Sequence, residues 1–218
     1  MAGSVAGHGD VVGQLQYLDV QKLTCIRGQR VLFRDLGFRV DAGQVLSLEG
    51  PNGAGKTSLL RVLAGLLPAA GGTVALVFGS ESETDADERA RRVAWLGHND
   101  AAKPQLTPRE MLAFFARLYG TRADVDAALG AVGLAKLADL ACGYLSAGQK
   151  KRLALARLKV AERPVWLLDE PLSSLDTDGR KRALDLINAH IMFGGIVVAA
   201  THEALGVASQ RLSLGAPA

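Results

Sequence analysis

A glycine-rich segment at residues 50–57 constrains the fold of this chain more than any other feature. Its sequence, Gly-Pro-Asn-Gly-Ala-Gly-Lys-Thr, fits the phosphate-loop pattern G-x-x-x-x-G-K-[ST]. The short apolar run Val45–Glu49 precedes it, and leucines at helical spacing follow it as far as Leu67. The segment therefore predicts a buried strand that leads through a phosphate-binding loop into a helix.

The residue types in this loop match the chemistry of a triphosphate. Gly50, Gly53 and Gly55 leave space for backbone N–H groups to reach the phosphates, and the helix adds its positive end. We expect Lys56 to bridge the β- and γ-phosphates and the Thr57 hydroxyl to ligate Mg²⁺. The alternative is a strand-to-helix turn with an incidental lysine, which the complete pattern disfavours.

Two adjacent carboxylates, Asp169 and Glu170, end an apolar run that starts at Val165. A carboxylate at the end of a buried strand can reach a metal beside the phosphate loop, so we expect Asp169 to hold Mg²⁺ through water. Glu170 can then polarise an attacking water, as a general base does. The alternative is a solvated acidic strand end, and the phosphate loop upstream argues against it.

A third motif, Leu-Ser-Ala-Gly-Gln, occupies residues 145–149. Ser146 and Gln149 fit the S-x-x-Q capping box and predict that a helix starts here. Gly148 leaves room for a phosphate to approach the free N–H groups of that helix end. Alone, the motif indicates only a well-capped helix.

The rest of the chain has the pattern of an α/β protein. Continuous apolar runs predict buried strands of a parallel sheet at 93–97, 165–168 and 195–200. An Ala- and Leu-rich helical pattern with glycine breaks predicts a helical insertion at 108–140. The acidic segment 80–88 is predicted to be a loop from its composition.

Composition argues against several functional classes. Although 49% of the residues are hydrophobic, no apolar run approaches the roughly 20 residues that span a bilayer, so we expect no membrane crossing. Residues 1–14 lack the basic start and apolar core of a secretion signal. The net charge of +3 comes with scattered basic residues, so no nucleic-acid partner is expected. Cys25 and Cys142 are predicted to be packed thiols of a reducing compartment.

The phosphate loop, the segment 145–149 and the carboxylate pair, in this order, resemble the ATP-binding subunits of ABC transporters. The resemblance covers about residues 15–212, as a single ABC ATP-binding domain. It implies a P-loop NTPase fold of the α/β class, with a mostly parallel sheet, a small antiparallel β part and a helical subdomain at about 100–155. Residues 1–14 are expected to be a disordered tail and residues 213–218 a C-terminal tail.

The resemblance also implies how ATP is held and cleaved. The 145–149 signature faces the γ-phosphate of a nucleotide held by a second copy, so the chain is expected to form an ATP-sandwich dimer. Lys56, Glu170 and His202 are the implied catalytic residues, with His202 as the switch histidine after a strand. The implied nucleotide-binding residues are Arg27, Gly50, Pro51, Asn52, Gly53, Ala54, Gly55, Lys56, Thr57, Ser58, Ser146, Gly148 and Gln149.

Two positions depart from the usual pattern of this family. Arg27 stands where most members stack an aromatic ring on adenine; a planar guanidinium can also stack, and Tyr17 or Phe33 is the alternative. His98 stands where a glutamine normally joins the metal site to the helical subdomain, so it is a candidate metal ligand with Thr57 and Asp169.

A finer pattern is similar to the haem-exporter ATPases of cytochrome c biogenesis. It consists of Cys25-x-Arg27-Gly28-x-Arg30, Glu49 before the loop, Trp95 to His98, and the basic helix after the signature. The resemblance implies integral membrane permease partners of the CcmB, CcmC and CcmD type at the cytoplasmic face of the bacterial inner membrane. ATP hydrolysis would drive release of a haem-loaded chaperone, with no haem bound to this chain.

Three other functions are considered. The main alternative is an ABC motor of another exporter or importer with different cargo. A non-transport ABC protein would usually carry two fused cassettes or a very long insertion, and a non-hydrolysing cassette is disfavoured by Glu170 and His202. The segment 98–106 is the expected docking surface for the membrane partner.

Overall fold

A computed structural model describes residues 15–97 and 102–215 of the chain. The strands are β1 (Leu15–Arg27), β2 (Arg30–Asp41), β3 (Val45–Glu49), β4 (Gly71–Phe78), β5 (Glu81–Glu83), β6 (Val93–Leu96), β7 (Val165–Asp169), β8 (Ile196–Ala200) and β9 (Ser209–Ser213). The helices are α1 (Lys56–Leu63), α2 (Ala86–Ala90), α3 (Pro108–Tyr119), α4 (Val125–Ala131), α5 (Ala147–Ala161) and α6 (Thr177–Met192). Two short 3₁₀ helices lie at Ala135–Leu137 and Cys142–Tyr144.

A parallel sheet forms the centre of the molecule, with strand order β6-β7-β8-β3-β9. Its central strands β7 and β8 are buried along their whole length, which explains their continuously apolar sequences. The predicted α/β fold with a parallel sheet is confirmed. Because the strands are parallel, β3, β7 and β8 end at one edge, and the segments that follow them meet there.

An antiparallel sheet with strand order β2-β1-β4-β5 packs beside this centre. One hydrophobic cluster lies between the two sheets and includes Leu46 and Leu48 of β3 together with the buried face of α1. A second cluster, which includes Trp166 and Leu168 of β7, lies between the parallel sheet and the helices. Alternate residues of one strand thus enter two different cores, as the pleat requires.

The helices α3 and α4 confirm the helical pattern predicted over 108–140. Thr107 and Glu110 form a capping box at the start of α3, and Gly120 ends the helix in the left-handed conformation. Within the described parts of the chain, no helix combines the length and apolar character needed to cross a membrane. Cys25 and Cys142 are free thiols and both are buried, as predicted.

The segment 80–88, predicted to be a loop, contains β5 and most of α2 instead. The acidic composition is that of a helix start, since the side chain of Asp85 accepts hydrogen bonds from the backbone N–H groups of Asp87 and Glu88. Arg89 then holds the segment in place, because its buried guanidinium donates to backbone carbonyls of Leu63 and Thr84. Such contacts between distant segments leave no trace in local composition.

The end of α1 also differs from the prediction. The leucine pattern suggested a helix to Leu67, ended by Pro68 and the glycines 71 and 72, but α1 ends at Leu63. Gly71 and Gly72 instead begin β4. A Cβ on Gly72 would lie 2.3 Å from the carbonyl oxygen of Lys22, so this glycine permits the close pairing of β4 with β1.

A buried histidine on α6 makes stability depend on pH. The His190 ring stacks on Trp166 with centroids 3.9 Å apart, and burial lowers its pKa from 6.5 to about 4. The unfolded chain takes up a proton below pH 6.5, whereas the folded chain does so only near pH 4. We therefore expect His190 to lower the free energy of unfolding by about 3 kcal/mol between these pH values.

Urea unfolding of the wild type and of His190→Phe, each between pH 7.5 and 4, measures this contribution. The phenylalanine retains a ring for the stack and removes the titrating group. The wild type should lose more stability than the variant as the pH falls. Parallel pH profiles of the two proteins would show that His190 does not titrate as described.

Candidate nucleotide-binding site

The phosphate loop connects β3 to α1, as the sequence predicts. Gly55 occupies the N-cap of α1 with a φ of 102°, and no side chain caps the helix, so its first N–H groups are available to a ligand. Gly50 has a φ of +136°, and a Cβ there would lie 2.3 Å from the carbonyl oxygen of Leu214. Packing against Leu214 therefore requires a glycine at position 50, in addition to any requirement set by a ligand. The sequence alone did not indicate this packing requirement.

Lys56 and Thr57 place a cation and a hydroxyl at the start of α1. The Lys56 ammonium donates to the carbonyl of Gly50 at 2.5 Å and lies 3.5 Å from Nε2 of His202. The Thr57 hydroxyl donates to Oδ2 of Asp169 at 2.9 Å. The phosphate loop is thus in direct contact with the segments that follow β7 and β8.

Asp169 ends β7, and Glu170 follows it in an unusual backbone conformation. Glu170 has a φ of 49°, and its N–H donates to the carbonyl of Ala200 at 2.8 Å. In this conformation the distance from Oε1 of Glu170 to Nε2 of His202 is 3.9 Å. Left-handed backbone at a non-glycine residue costs free energy and is concentrated at functional sites.

The structure brings five of the predicted site residues together from three separate parts of the chain. These residues are Lys56, Thr57, Asp169, Glu170 and His202. The cluster contains a cation, a hydroxyl, two carboxylates and an imidazole, which are groups that phosphoryl transfer from a nucleoside triphosphate uses.

A cavity of about 800 Å³ opens over four residues of this cluster, Lys56, Thr57, Asp169 and Glu170, whereas His202 is not among its lining residues. It is lined by the loop 51–58 and by Asp169 and Glu170. Five residues without a predicted cavity role complete the lining: Arg30, Leu32, Arg61, Trp95 and Gly97. Arg27 also lines the cavity. This volume suits a nucleotide, because small-molecule sites generally enclose about 300–1,000 Å³.

The two alternatives to Arg27 lie elsewhere. The Tyr17 ring is covered by the guanidinium of Arg39, 3.5 Å from the ring centroid. Phe33 is buried, with its ring beneath Gly55. Neither is among the residues that line the cavity, whereas Arg27 is exposed within it.

The oxygen donors beside the loop fit Mg²⁺. Thr57 and Asp169 present two hard ligands, and Mg²⁺ in proteins is typically held by one or two carboxylates together with the phosphates of its substrate. Across residues 15–97 and 102–215, no three His, Cys, Asp or Glu side chains form a separate metal cluster. His98, the third predicted ligand, lies outside the described residues.

The signature 145–149 forms the predicted helix start. Ser146 accepts from the N–H of Gln149, and Gln149 accepts in return from the N–H of Ser146, which makes a complete capping box on α5. A Cβ on Gly148 would lie 2.7 Å from the carbonyl oxygen of Ser174. Ser146, Gly148 and Gln149 are not among the described residues that line this chain's own cavity.

Arg180 and Glu203 have positions near the site that sequence analysis did not identify. The Arg180 guanidinium pairs with the Glu203 carboxylate through two nitrogens and also donates to the carbonyl of Leu175. It thereby joins the segment after Glu170 to the segment after His202. In the sequence, Arg180 is visible only as part of a short basic run. Such a run gives no information about an ion-pair partner 23 residues away.

The ABC transporter family model matches residues 33–173. The cytochrome c biogenesis ATP-binding export protein CcmA of Rhodopseudomonas palustris strain BisB5 is 48% identical over 203 residues, which cover 93% of this chain and 100% of that protein. The protein of the same name from Bradyrhizobium diazoefficiens is 45% identical over 91% of this chain and 98% of its own length.

Two solved structures share the fold. An ATP-binding subunit of an ABC transporter superposes with a TM-score of 0.74 at 24% identity, covering 85% of this chain and 79% of that chain. A putative ABC transporter ATP-binding protein from Pyrococcus furiosus gives 0.78 at 22% identity, covering 91% and 97%.

The chain therefore belongs to the ABC transporter family and, within it, to the family of CcmA cytochrome c biogenesis ATP-binding export proteins. It is an ATP-hydrolysing transporter subunit of the ABC ATPase fold, and it binds nucleotide.

Proposed function

We propose that this chain is the ATP-hydrolysing motor of a haem-export complex in c-type cytochrome biogenesis. The observation that supports this most strongly is the identity of 48% to a CcmA protein over that protein's whole length. In this role ATP hydrolysis drives release of a haem-loaded chaperone, and the chain itself binds no haem.

The loop and the cluster beside it suggest how ATP is cleaved. The N–H groups of the loop and of α1 bind the phosphates, and Lys56 exchanges its contact with the Gly50 carbonyl for the β- and γ-phosphate oxygens. Glu170 accepts a proton from the attacking water, and His202, 3.9 Å away, donates to the γ-phosphate. Mg²⁺, held by Thr57 and Asp169, would offset charge on the phosphate oxygens.

Two copies are needed to complete each site. The signature residues do not line the cavity of their own chain, and the signature presents a capped helix start at which Ser146 is exposed. We propose that Ser146, Gly148 and Gln149 of a second copy close over the γ-phosphate. Hydrolysis then removes the charge that holds the two copies together.

Membership of this family also supports a proposal for the membrane partners. We propose permease subunits of the CcmB, CcmC and CcmD type, with this chain bound peripherally at the cytoplasmic face of the bacterial inner membrane. The proposed docking segment 98–106 lies partly outside the described residues. Residues 108–119 of α3 continue from it with Phe114 and Leu118 exposed.

Maturation of c-type cytochromes tests the proposed function. A bacterium that lacks its own CcmA should regain haem-stained c-type cytochromes when it expresses this chain with its cognate membrane subunits. The variant Lys56→Ala should not restore them. If hydrolysis by the purified chain were normal and cytochrome maturation were not restored, a different cargo would be indicated.

A further inference from the structure

Two separate segments carry the general base and the histidine of the proposed mechanism, and one arginine contacts both segments. Glu170 begins the segment between β7 and α6, and His202 lies in the segment after β8. Arg180, in the first turns of α6, binds to each of them. The pairing of β7 with β8 ends at Asp169 and Ala200, so contacts outside the sheet hold the segments beyond these residues.

The His202 ring is held only loosely by its own polar contacts. Its side chain is 58% exposed. Its Nε2 lies 3.5 Å from Nζ of Lys56 and 3.9 Å from Oε1 of Glu170, and both distances exceed that of a well-formed hydrogen bond. The position of the ring therefore depends on the backbone on either side of it.

The backbone around His202 is fixed through Thr201 and Glu203. Thr201 is buried, and its hydroxyl accepts a hydrogen bond from the N–H of Glu203 at 3.0 Å, which closes a turn around His202. The Glu203 carboxylate is in turn held by Arg180, with Nη2 3.1 Å from Oε1 and Nη1 on Oε2. Such a two-nitrogen contact fixes orientation as well as distance.

The same guanidinium is attached to the segment that follows Glu170. Its Nε donates to the carbonyl of Leu175 at 3.2 Å. That segment folds back on Glu170, because the Ser173 hydroxyl donates to the Glu170 carbonyl at 2.9 Å. One planar group thus binds both segments and uses all three of its nitrogens to do so.

We propose that Arg180 and Glu203 are positioning residues for hydrolysis, which together hold the His202 imidazole in place relative to Glu170 at the γ-phosphate. This inference rests on the roles proposed above for Glu170 and His202. Neither Arg180 nor Glu203 lines the nucleotide cavity, so the pair acts on the rate of cleavage and not on nucleotide binding. Misplacement of a reacting group by about 1 Å can cost about 100-fold in rate, whereas partly exposed ion pairs add little to stability.

A double-mutant cycle of ATP hydrolysis by the full chain tests the proposal with Arg180→Met, Glu203→Met and the double variant. Each single change should lower kcat about tenfold and leave the KM for Mg-ATP within twofold of wild type, because positioning is lost and binding is not. The double variant should also lose about tenfold, since both changes remove one shared interaction.

Thermal unfolding checks that each variant is folded. Should Arg180→Met not fold, Arg180→Lys takes its place in the cycle with the same expected pattern. Lysine keeps the charge but cannot form the two-nitrogen contact with Glu203.

Arg182→Met is the matched control. Arg182 lies on the same helix, and its Nε is 2.7 Å from Oδ2 of Asp178. The side chains of Arg182 and Arg180 are similarly exposed, at 37% and 43%. Because the partner of Arg182 belongs to α6 itself, loss of that pair should leave kcat unchanged.

Three results would overturn the inference. They are a kcat for Arg180→Met within twofold of wild type or no lower than that of Arg182→Met, a loss in the double variant equal to the product of the single losses, and a raised KM with unchanged kcat. Glu170→Gln, measured alongside, tests the site itself, since full activity in that variant would remove the proposed mechanism. An inactive Glu170→Gln together with a fully active Arg180→Met would reject the positioning pair alone.

Discussion

Replacing Glu170 with Gln leaves ATP binding intact and lowers turnover by about 10²–10⁴-fold, the usual contribution of a positioned general base. The amide has the same shape, so it can occupy the same left-handed position between Asp169 and Pro171. It cannot take the proton of the attacking water. Steady-state phosphate release and ATP affinity, measured on the same preparation, separate the two effects.

Glu162→Gln is the control for this substitution. Glu162 has the same φ of 49°, but it ends α5 and is not part of the cavity lining. The chemical change and the backbone conformation are therefore matched. Hydrolysis by Glu170→Gln within threefold of the wild-type rate would remove Glu170 from the proposed mechanism.

Replacing Ser146 with Arg should abolish hydrolysis while the affinity of the single chain for ATP stays close to wild type. The exposed capping residue begins the helix that we propose closes over the γ-phosphate of a second copy, so a long side chain there obstructs closure. We expect the rate of hydrolysis to fall by about 100-fold or more. Removing one hydrogen-bond donor that stabilises a transition state typically has an effect of this size. Phosphate release at a high protein concentration measures it.

Ser146→Thr is the control, because it keeps the hydroxyl that caps α5. Gly148 is less suitable for this test, since any side chain there collides with the carbonyl of Ser174 within the same chain. Thermal unfolding of both Ser146 variants checks that the fold is retained. If Ser146→Arg were folded and fully active, the signature would have no part in hydrolysis.

Sequence patterns were sufficient wherever the cause of the structure is local. The strand, loop and helix around Lys56 follow from apolar runs, glycines and leucine spacing, and the capping box at Ser146 follows from two residues three apart. The carboxylate pair at Asp169 was predictable for the same reason, because a buried parallel strand is continuously apolar.

The features that sequence patterns missed depend on contacts between distant segments. Arg89 is buried because it reaches the carbonyls at the end of α1, and Gly50 is constrained by Leu214, far along the chain. Arg180 has a partner on the segment after His202. In each case the residue type was visible, while its partner is fixed only by the assembled sheets.

The central proposal is that one nucleotide is shared between two copies of the chain, and molar mass in solution tests it most directly. Light scattering of Glu170→Gln should give the mass of one chain, 22.9 kDa, without nucleotide and twice that mass with Mg-ATP. The double variant Glu170→Gln/Ser146→Arg should bind Mg-ATP and remain a single chain. A doubled mass in the double variant, or a wild-type chain that hydrolyses ATP at full rate as a monomer, would contradict the account.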